Sequence, residues 1–149
     1  MMRDQIQVRF IENESELKSC LGIRQKVFVE EQHTDPAEEF DELDHLLPHT
    51  HILLLYDGQP AGTARLKRLG DEHVKYQRIA ILQEFRGKHL GAELLCGLDR
   101  LAKALRYRHV TIGAQKYAEG FYTKCGFVTT DPTIFLDAGI EHIMMEKSL

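Results

Sequence analysis

Apolar and polar residues alternate from the start of the chain. Ile6, Val8 and Phe10 are separated by Gln7 and Arg9, the period-two pattern of a strand with one buried face. Asn13 or Ser15 then offers a cap for a helix running to about Glu31, with Leu17, Leu21, Val27 and Phe28 on its inner side. Residues 34–48 are acidic and proline-bounded, which predicts a loop or a short irregular helix. Strands are expected over His51–Tyr56 and 61–69, with Asp57-Gly58 as the turn between them. In the next strand, 74–82, Val74 and Tyr76 set one alternation phase and Ile79 and Ile81 the other. A slip of phase inside one strand marks a β-bulge. A long helix follows, with Leu90, Leu94, Leu98, Leu101 and Leu105 on one stripe and Arg100, Lys103 and Arg106 facing solvent. Further strands are expected at 109–114, 133–136 and 140–146, which completes an α/β order.

The junction between the fourth strand and the long helix carries candidate chemistry. It reads Ile81-Leu82-Gln83-Glu84-Phe85-Arg86-Gly87-Lys88-His89-Leu90-Gly91-Ala92. The first backbone N–H groups of a helix have no intrahelical partner, and the helix dipole adds partial positive charge there. Gly87 and Gly91 allow a tight turn and close approach to the backbone, and Arg86 and Lys88 add full charges. The guest that suits such a place is a phosphate or pyrophosphate, the ordinary alternative being a basic helix start with solvated Lys and Arg. Gly87-Lys88 is followed by His89, so the Ser/Thr of a Walker loop is missing, and the three-glycine dinucleotide fingerprint is also absent.

The spacing from Arg86 to Ala92 resembles the acetyl-CoA pyrophosphate loop of the GCN5-related N-acetyltransferase (GNAT) family, Gln/Arg-x-x-Gly-x-Gly/Ala, with His89 standing where the first glycine is expected. Residues 114–127, Ala-Gln-Lys-Tyr-Ala-Glu-Gly-Phe-Tyr-Thr-Lys-Cys-Gly-Phe, are similar to the family's later signature, Ala-x-x-Phe-Tyr-x-x-x-Gly-Phe. The segments 24–32, 39–44, 60–66 and 137–145 resemble the small ElaA-like subgroup, so the likeness spans roughly the whole chain. It implies a single GNAT domain over residues 1–149, with a mixed central sheet of about six to seven strands, about four flanking helices and a bulged, splayed central strand. Cofactor contacts are then expected from Ile79, Ala80, Ile81, Arg86, Gly87, Lys88, His89, Leu90, Gly91, Ala92, Gln115, Ala118 and Tyr122. Tyr122 would protonate the departing CoA thiolate, and backbone N–H groups around 79–82 would polarise the thioester carbonyl.

The acceptor side is less defined. Glu30, Glu31 and His33 end the first helix, where the family builds its acceptor site, and Glu31 is carried as a candidate base. Gln77, Asp137 and His142 are further acceptor-side candidates, and each has a bland alternative as a solvated or turn residue. The acidic run from Glu38 to Asp44 hints at a cationic acceptor. The function implied is transfer of the acetyl group of acetyl-CoA to a primary amine, on a small molecule or on a peptide or protein. The alternative is a non-catalytic acyl-CoA-binding sensor that uses the same cleft.

Bulk properties constrain this reading without carrying it. The chain has 149 residues, 43% apolar and 28% charged, which suits one soluble domain with a real core. A net charge of −4 gives no footprint for non-specific nucleic-acid binding, and no apolar run is long enough for a membrane helix. Met1-Met2-Arg3-Asp4 is too short and polar for a targeting segment. The three cysteines lack pairing or CxxC spacing and read as reduced, cytoplasmic thiols. Asp41, Asp44, His45, His49 and His51 crowd together, but their spacing fits no metal motif, and no metal is expected. Dimerisation, common in the family, is left open.

Overall fold

Seven strands form one sheet in the computed structural model, which describes residues 5–149. The polar start Met1 to Asp4, read above as no targeting segment, lies outside the described residues. The elements run β1 (Ile6–Phe10), α1 (Glu14–Arg24), a π-helical segment (Gln25–Glu31), α2 (Pro36–Glu39), β2 (His51–Tyr56), β3 (Gln59–Arg68) and β4 (His73–Ile81). Then come α3 (Leu90–Ala104), β5 (His109–Gln115), α4 (Glu119–Lys124), β6 (Val128–Asp137) and β7 (Ile140–Ser148). The spatial order is β1-β2-β3-β4-β5-β7-β6, and only β4 and β5 run parallel.

Asn13 caps α1, its side chain accepting the Glu16 N–H at 2.9 Å. The helix reaches Glu31 as expected, but its second half winds with i→i+5 bonds, as in the Gln32 N–H donating to Val27 O. Two apolar layers cover the sheet. On one face, Leu90, Leu94 and Leu98 of α3 meet Ile52, Leu54 and Tyr76. On the other, Cys20, Ile23 and Val27 meet Leu53, Ala80 and Leu82. The run Ile52-Leu53-Leu54 therefore serves both faces, as a central strand must. Leu101 and Leu105 are partly buried at the end of the expected stripe, and Arg100 reaches back to the Val8 carbonyl at 2.8 Å.

The phase slip of β4 is a bulge. Thr63 pairs with Ala80 and Arg65 with Gln77, so Ala64 faces both Arg78 and Ile79, and Arg78 takes φ +55°. Parallel pairing with β5 covers only His73–His109, Val74–Val110 and Lys75–Thr111. Beyond those pairs the strands part, and the opening between them is the floor of the site. β6 spans Val128–Asp137, longer than the expected 133–136. It is an edge strand, almost wholly exposed and interrupted at Pro132, so no buried face writes an alternation into its sequence.

Candidate functional site

A cleft of about 1080 Å³ lies where β4 and β5 part, and it extends to the start of α3, to α4 and to the end of the π-helical segment. Its lining includes Ile79, Ala80 and Ile81 from β4, and Gly113 and Gln115 from β5. Successive residues of a strand turn their N–H groups to opposite sides. The Leu82 N–H donates to Ala61 O at 2.8 Å, which removes it from the expected carbonyl-polarising set. The neighbouring Ile81 N–H is thereby turned away from β3, toward the gap.

The basic loop enters the cleft from one end. Gln83–Phe85 form a 3₁₀ turn, Gly87 takes φ +82°, His89 takes φ +60°, and α3 begins at Leu90 without a side-chain cap. Among the described residues, the backbone N–H groups from Gly87 to Ala92 find no acceptor within the protein. They form an anion cradle on the positive end of a fifteen-residue helix. His89 adopts the left-handed conformation that a glycine would take at no steric cost, so the loop keeps its shape despite the substitution. Arg86, expected as a free cation, instead binds Glu31 through both terminal nitrogens, at 2.8 and 3.0 Å, and donates from Nε to the Ile81 carbonyl. Lys88 lies over the Tyr56 ring, 5.8 Å from its centroid, and does not line the cleft.

Tyr122 lies on α4, which ends at Gly126 with φ +98°, and Phe127 turns back into the core with its N–H donating to Tyr122 O. Its ring packs edge-on against Phe121 at 5.1 Å and Phe127 at 5.9 Å between centroids. Burial pushes its phenol well above the usual range, with Cys125 and Tyr117 adding to the shift. Gly91 joins this motif to the loop, because a Cβ there would sit 3.2 Å from the Phe121 ring. Ala118 also lines the cleft.

The opposite end gathers polar groups. His142, on β7 and paired in register with Gln115, lines the cleft, and its Nδ1 lies 2.7 Å from Ile140 O. A carbonyl only accepts, so Nδ1 donates to it, which leaves Nε2 as the acceptor nitrogen of the neutral ring. Gln115 donates to Gln32 at 3.0 Å, and Asp137 lines the same end. Gln77 also lines the cleft, but its side-chain oxygen accepts from Arg65. Glu30 and His33 lie outside the lining.

The acidic run has a different role from the one expected. Arg24, fully buried, binds Glu39 at 2.9 Å and both oxygens of Asp44, while Arg65 binds both oxygens of Asp41 and also reaches Asp44. Arg78 adds a contact to Glu39 at 3.2 Å. Glu39, Asp41 and Asp44 therefore neutralise interior arginines, while Glu38 and Glu39 also line the cleft. His51, from the same stretch, contacts the Leu43 carbonyl through Nε2. Lys75, which sequence reasoning missed, lines the cleft, as does Arg78, which the sequence places beside Gln77 on the central strand but not as a base. The phase slip that marks the bulge was the available signal for Arg78, since the slip must place one side chain out of register.

Comparison with known proteins agrees with this geometry. Residues 12–149 match the acetyltransferase (GNAT) domain family. The uncharacterised N-acetyltransferase YjcF of Bacillus subtilis is 35% identical over 136 residues, covering 91% of this chain and 94% of that protein. The crystal structure of an acyl-CoA N-acyltransferase from Pseudomonas aeruginosa superposes with a TM-score of 0.80 at 28% identity, over 95% of this chain and 97% of that one. Escherichia coli ElaA superposes with a TM-score of 0.80 at 26% identity, over the same shares.

Proposed function

We propose, for a chain that belongs to the GNAT acetyltransferase family, direct transfer of the acetyl group of acetyl-CoA to a primary amine within a ternary complex. Membership makes the protein an acetyl-CoA-dependent N-acetyltransferase. The observation that carries the finer reading is the run of free backbone N–H groups from Gly87 to Ala92, opening into the same cleft as Tyr122. Those groups bind the pyrophosphate, and the acyl arm follows the gap between β4 and β5.

An alkylamine with pKa about 10.4 is almost wholly protonated at pH 7, and reaching its neutral form costs about 4–5 kcal/mol. His142 takes that proton at Nε2, directly or through water, as its fixed tautomer allows. The amine nitrogen forms a bond to the carbonyl carbon, and the Ile81 N–H steadies the oxyanion that develops. As the carbon–sulfur bond breaks, Tyr122 gives its phenolic proton to the thiolate, and the second proton of the former amine leaves the new amide nitrogen, directly or through water, to restore the phenol. A phenol is protonated at neutral pH at its ordinary value, and burial, which pushes it higher, keeps the donor form at the cost of acid strength. Glu31 serves the loop through Arg86 in this scheme and is not the base. Three unpaired cysteines fit a reducing compartment, and we read the protein as cytoplasmic. Among the described residues, no helix is long and apolar enough to cross a membrane.

The test is thiol release from acetyl-CoA against a panel of primary amines, with both substrates varied. Intersecting initial-rate lines support the ternary complex, whereas parallel lines point to a covalent acetyl-enzyme and sink direct transfer. A thermal shift with acetyl-CoA but no release with any amine favours the sensor reading. No shift at all removes the cradle.

A further inference from the structure

The narrow end of the splay carries a second constellation, away from the anion cradle. His73 and His109 are the first register pair between β4 and β5, and Thr111 stands opposite Glu146 between β5 and β7. Residues 109 and 111 alternate on β5, so these four side chains share one face of three adjacent strands. The rings of His73 and His109 meet edge-on with centroids 4.7 Å apart. His109 Nε2 lies 2.5 Å from Glu146 Oε1, and His73 Nε2 lies 2.5 Å from Thr111 Oγ1. One nitrogen of each imidazole and one oxygen of Glu146 all fall within 4.8 Å of one another.

We propose that His73, His109 and Glu146 bind one divalent transition-metal ion, with zinc as the ion the donor set favours. Two imidazoles and one carboxylate form a borderline nitrogen–oxygen set suited to zinc, with a fourth position left for water. Metal–ligand distances near 2.0–2.1 Å put tetrahedral donors about 3.4 Å apart. Binding requires the donors, within 4.8 Å of one another, to close to that spacing by rotation of partly exposed side chains. Thr111, buried beside His73, becomes the partner that orients a ligand ring. The nearby Arg108 is paired with Glu72 at 2.9 Å, which offsets its charge.

The position gives the ion a consequence. β4 and β5 hold together through three register pairs, and the first of them is His73–His109. A metal there clamps the far end of that pairing, two residues before the cleft opens at Lys75. The proposal is independent of the catalytic reading.

The experiment is calorimetric titration of tag-free, chelator-stripped protein with zinc sulfate. One site per chain with micromolar or tighter affinity is expected, weakened at least about tenfold in His73→Gln, His109→Gln and Glu146→Gln. His45→Ala, outside the cluster, should bind as the parent does, and zinc should raise the unfolding midpoint of the parent but not of Glu146→Gln. Cobalt(II) titration of the unmodified protein needs no variant to fold. A tetrahedral spectrum without a thiolate charge-transfer band supports the site, and a thiolate band assigns the metal to cysteine and overturns it. Absence of saturable zinc binding overturns it as well, as does unchanged affinity in all three cluster variants.

Discussion

Arg86 and Glu31 hold each other by two parallel hydrogen bonds, 2.8 and 3.0 Å long, which tie the loop before α3 to the end of the π-helical segment across the cleft. Each residue was expected to face a ligand, Arg86 the pyrophosphate and Glu31 the amine. Their pairing makes them one part of the site's frame. Both side chains are substantially exposed, so the pair contributes at most about 1 kcal/mol.

Glu31→Gln should therefore raise KM for acetyl-CoA by no more than about fivefold and leave kcat within about twofold. Steady-state kinetics with acetyl-CoA varied checks this. A collapse of kcat with KM unchanged would restore Glu31 as the base.

Tyr122→Phe keeps the ring contacts with Phe121 and Phe127 and removes only the proposed proton donor. It should lower kcat by about 10²-fold or more, while the dissociation constant for CoA stays within about twofold. Rapid-quench measurement of the chemical step is the cleaner assay, because product release can hide part of the effect. An undiminished chemical step removes Tyr122 from the mechanism.

His142→Gln retains a polar group of similar length but no ring nitrogen that can act as a base. The expected result is a fall in kcat of about 10²-fold with unchanged KM for acetyl-CoA, since the residue lies on β7 and not in the loop from Gly87 to Ala92. A larger loss for weakly basic amines than for strongly basic ones would be the wrong pattern for a base and would assign His142 to positioning.

Much of this architecture could be read from spacing. Asn13 as a cap, the leucine stripe of α3, the bulge in β4 and the glycine ending α4 all rest on local rules, and local rules are visible in sequence. Partnership across space is not. Nothing near Glu39, Asp41 or Asp44 announces that Arg24 and Arg65 will be buried against them, because a solvated acidic run and a neutralised one read alike. His73, His109 and Glu146 are likewise unrelated in sequence and meet only because β4, β5 and β7 are neighbours. The π winding after Arg24 left no mark either, since its residues are ordinary helix formers.

Asp44 sets the acid limit of stability. Burial pushes its carboxyl upward, but hydrogen bonds from Arg24 and the Asp41 N–H, with the charges of Arg24 and Arg65, outweigh burial and hold it at about 2. A depressed carboxyl stabilises the fold above its unfolded value, near 4, and that stability drains away as pH falls toward 2. Asp41 is lowered too, whereas Glu39 is raised by burial and acts in the opposite sense, losing its contribution as pH rises. Asp44→Asn should cost about 1–3 kcal/mol at pH 7, because it removes a counter-charge shared by two buried guanidinium groups that keep Glu39 and Asp41 as partners. Urea unfolding at pH 7 and pH 3 should show the gap to the parent narrowing at the lower pH. A constant gap would mean the ionised carboxylate is not what the arginines require.

Gly97 tests how closely α3 seats on β1. A Cβ at this position would lie 2.5 Å from Val8 Cβ and Cγ1, well inside contact distance. Alanine favours a helix interior over glycine by about 1 kcal/mol, so the substitution sets propensity against packing. Overpacking costs of about 1–3 kcal/mol should prevail, because Val8 is held in the sheet by the pairing of β1 with β2 and cannot retreat without moving the strand. The expected net loss for Gly97→Ala is about 1–2 kcal/mol by urea unfolding. The double variant with Val8→Gly should be more stable than the sum of the single changes predicts, because it removes Cβ and Cγ1 together, and with them the clash, and lets the helix gain appear. If Gly97→Ala alone stabilises the protein, α3 rides higher on β1 than described here, and the packing of its leucine stripe must be redrawn with it.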